Sequence, residues 1–62
     1  MQFQENDRVE TLVDKPNCHK GTKGVIVGVY PNSAVFEVEC WDEDNYPFDV
    51  ITFEAKELKK IT

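Results

Sequence analysis

Two thiols, one imidazole and a dense run of carboxylates are the residues in this chain whose types are suited to chemistry. His19 is the single histidine and follows Cys18 directly; Cys40 is the second thiol. A cysteine nucleophile needs its base within hydrogen-bond reach and a third group to orient that base. Adjacent loop side chains rarely meet in this way, and no orienting group stands at a defined spacing. Zinc takes three or four protein ligands. Cys18, His19 and Cys40 supply at most three, and two of them are neighbours that point apart. Residues 20–24, Lys-Gly-Thr-Lys-Gly, lack the spacing of a phosphate-binding P-loop. The expectation is therefore a protein that is not an enzyme and has no cofactor and no metal. Cys18 and His19 read as exposed loop residues, and Cys40 as a small inward-facing apolar side chain. Two cysteines without a CxxC spacing do not make a disulfide scaffold, and a single bridge between them belongs to an oxidising compartment.

The carboxylates carry more information. Glu37, Glu39, Asp42, Glu43, Asp44 and Asp49 fall within 13 residues, and no Lys or Arg intervenes. A calcium loop spaces its oxygen ligands and closes with a bidentate Glu, a pattern that residues 42–45 do not have. Two readings remain: a solvated outer face, or an acidic surface that meets a basic partner and speeds the encounter. Four aromatics, Tyr30, Trp41, Tyr46 and Phe48, lie at strand ends or beside a turn. They either cap the ends of the core or form a binding platform, since Trp and Tyr are the commonest interface hot spots. Trp41 follows inward Cys40 and so points outward. The protein-binding candidates are thus Glu39, Trp41, Asp42, Glu43, Asp44, Tyr46 and Phe48. A smaller basic set, Lys15, His19, Lys20 and Lys23 with Tyr30, is the alternative and would touch nucleic acid.

The chain is 62 residues long, enough for one domain over 1–62. At this size only about 60% of the unfolded surface is buried, and no cavity of a few hundred cubic ångströms is expected. Charged residues make up 31% and hydrophobic ones 40%, a globular balance. Twelve acids against seven bases give a net charge of −5. That balance opposes binding through phosphates, which requires clustered Lys and Arg. No apolar run approaches the ~20 residues of a membrane helix, and residues 1–5 lack the basic and apolar regions of a signal peptide. A cytoplasmic protein without membrane association is expected.

The elements that position these residues are short strands. Residues 7–13 alternate and favour β structure. Residues 14–20 are polar, are broken by Pro16 and read as a loop. Gly21 and Gly24 frame a sharp turn into the valine-rich run 25–30, where Gly28 marks a bulge or bend. After a turn at 31–33, residues 34–41 alternate with Phe36, Val38 and Cys40 on one face. A second turn covers 42–45, with Asn45 suited to a left-handed conformation. Residues 46–53 resume β character with Pro47 near the start. Residues 54–58 suit a single 3₁₀ turn, and 58–61 a last strand. The expected fold is all-β: a small five-stranded barrel with a core of Val9, Val25, Val27, Val29, Phe36, Val38, Ile51, Phe53, Leu58 and Ile61. Closure of the sheet would remove its exposed edges.

Asp7-Arg8-Val9, the turn Lys20-Gly21-Thr22-Lys23-Gly24, the run 25–30 and Phe36-Glu37-Val38-Glu39-Cys40-Trp41-Asp42 together resemble a family of small bacterial proteins of unknown function with an SH3-like barrel. Thr52 and Leu58 fall at matching places, and the resemblance covers nearly the whole chain. Asn45 replaces a usual glycine, Cys40 a usual aromatic, and Tyr46-Pro47-Phe48-Asp49 is bulkier than the usual segment. The resemblance implies an SH3-like barrel that accompanies other small proteins, some in arrangements suggestive of toxin and antitoxin pairs. The 21–27 turn also distantly resembles the KOW motif of ribosomal and transcription-factor barrels, whose RNA-binding members are generally basic.

The leading expectation is a protein-binding module, antitoxin-like, immunity-like or accessory, that meets a partner with a basic surface through its acidic, aromatic face. A KOW-like nucleic-acid-binding barrel using residues 15–23 is the alternative, and a self-associating homo-oligomer the third reading.

Overall fold

The β-branched runs and polar turns do fold as strands joined by tight connections. The computed structural model describes residues 3–61; Met1 and Gln2, part of the segment read for a leader peptide, and Thr62 lie outside the described residues. The strands are β1 (Arg8–Thr11), β2 (Lys23–Tyr30), β3 (Val35–Trp41), β4 (Pro47–Glu54) and β5 (Leu58–Lys60), with a 3₁₀ turn over Ala55–Glu57. They form one antiparallel sheet in the order β4-β3-β2-β1-β5. The fold is all-β. Among the described residues no helix is long and apolar enough to cross a membrane.

The core is built from Phe3, Val9, Cys18, Ile26, Phe36, Val38, Cys40, Phe53 and Leu58, with Val13, Val29, Ile51 and Ala55 packed against it. Phe3 meets Phe36 edge to face, with ring centroids 5.3 Å apart. The expected alternation of β3 holds along its whole length. In β2 it does not. Val25 and Val27 were expected inside, yet Ile26 is fully buried, Val25 faces outward beside Arg8 and Glu39, and Val27 is 44% exposed. The reason lies in the pairing. Gly24 packs directly beneath the backbone of β3, so Ile26 faces inward after it and opposes Val38. A bulge then leaves Val27 as the extra residue, since Ile26 opposes Val38 but Gly28 opposes Glu37. The extra residue resets the period of two and turns Val29 back toward the core. Ile61, expected in the core, is half-buried beyond the end of β5.

Against the expectation of closure, the sheet does not close by strand pairing: β5 is three residues long and pairs with β1, with no ladder between β5 and β4. β4 therefore remains an edge, and side chains satisfy three of its backbone groups. Val50 N–H donates to Asp49 Oδ1 at 2.8 Å, and Glu54 N–H to Glu57 Oε1 at 2.9 Å. The Lys15 ammonium donates to the Thr52 carbonyl at 2.9 Å, pairs with Glu57 at 3.2 Å, and sits 4.7 Å from the centre of the Phe53 ring. Pro47 at the head of the strand has no N–H to offer. An edge satisfied in this way is a poor template for another strand.

Gly24 is the position where the fold tolerates least. A Cβ there would meet the Val38 side chain at 2.8 Å and would overlap the Glu39 carbonyl oxygen outright. Gly24→Ala is expected to destabilise the protein by about 2 kcal/mol or more. Urea unfolding of the purified variant checks this, and a midpoint equal to that of the parent would refute the close approach.

Candidate functional site

The loop between β1 and β2 is eleven residues long and folds around one buried hydroxyl. Thr11 Oγ1 donates to the His19 carbonyl at 2.9 Å and accepts the Thr22 N–H at 3.1 Å. Its backbone does the same work, since Thr11 N–H reaches the Thr22 carbonyl and Gly21 N–H reaches the Thr11 carbonyl, each at 2.8 Å. Gly21 takes φ +91°, which a side chain would resist. Lys15 and Cys18 exchange two backbone hydrogen bonds, at 2.8 and 3.0 Å. These bonds turn Cys18 inward and leave His19 and Lys20 outside.

The turn between β3 and β4 is organised by Asp42. Its Oδ1 accepts the N–H groups of Asp44, at 2.9 Å, and Tyr46, at 3.0 Å. Asn45 takes the left-handed conformation expected of it, φ 67°. A second bulge follows, because Cys40 opposes Asp49 but Trp41 opposes Pro47, leaving Phe48 as the extra residue. Trp41 lies on the outer face of the sheet, half-buried. Its indole N–H donates to Glu39 at 3.0 Å, and the Arg8 guanidinium lies 6.0 Å from its ring centre.

Loop and turn face each other across an open groove of ≈ 830 Å³. Asn17, His19, Lys20 and Lys23 line one side, Asp42, Glu43 and Asp44 the other, with Trp41 and Phe48 also in its lining. A concavity of that size stands against the expectation of none in so short a chain; it is open and formed between a loop and a turn rather than inside the core. Residues from both the acidic and the basic candidate sets share this one groove. Of the acidic set, Tyr46 is 69% exposed beyond the groove lining, and Phe48 is 47% exposed within it. Tyr30, Tyr46 and Phe48 are all exposed, so they do not plug the ends of the core. Glu39 and Asp42 are occupied by Trp41 and by the turn, whereas Glu43 and Asp44 make no side-chain hydrogen bond or ion pair among the described residues. Of the basic set, His19, Lys20 and Lys23 face the groove. Lys15 is bound at the β4 edge, and Tyr30 lies in the β2–β3 hairpin, donating to Glu37 at 2.9 Å.

Cys18 is 4% exposed, against the expectation that it is a solvated loop residue. The Thr11-centred loop drives it under the sheet, where its Sγ lies 3.6 Å from Cys40 Sγ. Cys40 in turn approaches the Val38 carbonyl at 3.7 Å. Burial, then the contact with Cys18 and the nearby Asp49 charge, push the Cys40 thiol up to about 12. The contact between the two thiols was invisible in the sequence, since 22 residues separate them. Among the described residues no group of three or more His, Cys, Asp or Glu converges as metal ligands do.

The chain belongs to the family described as Domain of unknown function (DUF4926), whose model matches residues 5–60. No curated protein and no solved structure matches it.

Two outcomes follow from the buried groups. Thr11→Val removes the hydroxyl between the His19 carbonyl and the Thr22 N–H and is expected to cost about 1–3 kcal/mol, with faster amide exchange at Gly21 and Thr22. Unchanged exchange there would mean that the loop is held elsewhere. A thiol whose folded pKa is raised contributes stability that is fully present below its unfolded pKa and lost as pH rises through the folded value. The urea midpoint should therefore fall as pH rises from about 9 toward about 12. Tyr30 adds to the same trend, because its bond to Glu37 and the charge of Glu37 raise its pKa. Cys40→Ala should flatten the alkaline fall, as read by unfolding across that range.

Proposed function

We propose that this protein is a non-enzymatic protein-binding module, antitoxin-like, immunity-like or accessory, whose groove and adjoining turn receive a partner with a basic surface. The observation that carries the reading is the apolar surface left exposed beside unpaired acids: Trp41 and Phe48 in the groove, Tyr46 next to it, and Glu43 and Asp44 on the rim. Trp41 is the anchor. Its ring is held in place by Glu39 and Arg8, so little side-chain entropy remains to be lost on binding. Glu43 and Asp44 steer the approach. The strand order and the 3₁₀ turn before β5 support reading the fold as SH3-like.

A second reading, a KOW-like barrel that binds nucleic acid, retains His19, Lys20 and Lys23. Lys15 and Tyr30 hold other partners, and the remaining basic groups face carboxylates across the groove. The net charge of −5 also favours the protein-binding reading.

Affinity capture from lysate with and without nuclease treatment, at low and moderate salt, with mass spectrometry of the retained proteins and an assay of retained nucleic acid, tests both. A stoichiometric basic protein is expected, with affinity lowered by about 2 kcal/mol or more in Trp41→Ala. Neutral replacements of Glu43 and Asp44 should chiefly slow association at low salt. A folded Trp41→Ala protein that binds with unchanged affinity overturns the anchor. Retention of nucleic acid alone, abolished by nuclease, turns the reading to the basic side.

A further inference from the structure

We propose that Cys18 and Cys40 form a reversible disulfide, made by exchange with a low-molecular-weight disulfide, that pins the basic wall of the groove to β3. The two thiols are already in contact at 3.6 Å and are both reduced. A disulfide needs its sulfurs at about 2.05 Å, so closure is a displacement of about 1.5 Å. Cys18 lies between Asn17 and His19, and Cys40 directly precedes Trp41; these three neighbours line the groove. A covalent bond between the two sulfurs joins the loop side of the groove to the strand that carries its aromatic anchor.

Exchange begins at Cys18. It sits on a loop, and loops open locally more readily than the strands they join, whereas Cys40 is fully buried inside β3. The Cys18 thiolate attacks one sulfur of the small disulfide, whose S–S bond breaks and releases one thiolate with the electron pair. Cys40 then gives its proton to solvent and attacks Cys18 Sγ, displacing the second small thiolate. Two protein thiols are oxidised, one small disulfide is reduced to two thiols, and the two protons balance. Cys40 holds its proton tightly, so the second step is the slow one and quickens as pH rises. The reaction does not depend on what the groove binds.

Native protein incubated with oxidised glutathione tests the proposal by intact mass, peptide mapping and amide exchange. The expected product is a monomer lighter by two hydrogens, bridged between Cys18 and Cys40 and restored by dithiothreitol. Its Tm should rise by more than about 8 °C, given the loop that the bridge closes, and exchange at residues 17–22 should slow at least about tenfold. Cys40→Ser should instead stop at a glutathione adduct on Cys18, and Cys18→Ser should not react. A persistent adduct on the parent protein, a disulfide-linked dimer or no reaction overturns the pair. A bridge that leaves exchange at 17–22 unchanged overturns the pinning. If a serine variant fails to fold, the parent protein's mass and peptide map decide alone.

Discussion

The buried hydroxyl of Thr11 is the interaction on which the functional end of this molecule depends. An eleven-residue loop with one isolated bridge, between Lys15 and Cys18, still has many backbone groups to satisfy and little apolar surface with which to hold itself. Thr11 lies at the end of β1, facing the core opposite Leu58, and gives the loop a fixed point on the inner face of the sheet. The His19 carbonyl, the Thr22 amide and the Gly21 amide all end there. Once they do, the rest of the loop has little choice. Cys18 goes under the sheet, His19 and Lys20 turn outward, and Lys15 reaches the β4 edge.

The same economy governs the sheet. With so few residues, β5 can cover only β1, and the far edge has to be finished by side chains. Lys15 does this from the loop, Asp49 from the strand itself and Glu57 from the 3₁₀ turn. The Glu57 carboxylate accepts the Glu54 amide and faces Lys15 and Lys56. The amide above all, and then the two lysines, hold its pKa below the ordinary range although burial opposes them. Lys15 illustrates how a residue that looks like a surface charge is recruited to structure. Its ammonium meets a carbonyl, a carboxylate and an aromatic face at once.

The two bulges complete the arrangement. The one at Val27 lets a Gly-led strand begin with Ile26 inside and end with Val29 inside. The one at Phe48 releases that ring from the sheet ladder beside the groove. Bulges gather where a side chain must be re-aimed. Here the re-aimed ring stands near Trp41, with charges of opposite sign on the two flanks. The groove therefore has an apolar patch beside the unpaired acids Glu43 and Asp44, and that pairing is what the functional reading uses.

By itself the sequence determined the number and approximate extent of the strands, the inward row of Phe36, Val38 and Cys40, the left-handed turn at Asn45, the bulge near Gly28 and the 3₁₀ turn. Each of these follows from local rules: alternation, turn chemistry and the conformational range of a single residue. It also singled out both the acidic, aromatic segment and the basic loop, because charge runs and unplaced aromatics are visible in one dimension. Only the tertiary structure decided that the two segments face one groove, that Lys15 and Tyr30 stand apart from it, that Ile26 rather than Val25 or Val27 fills the core, and that Cys18 meets Cys40. The physical reason is common to all four. Register, loop path and the burial of a loop thiol are set by partners distant in sequence, through hydrogen bonds and close packing that no local pattern encodes.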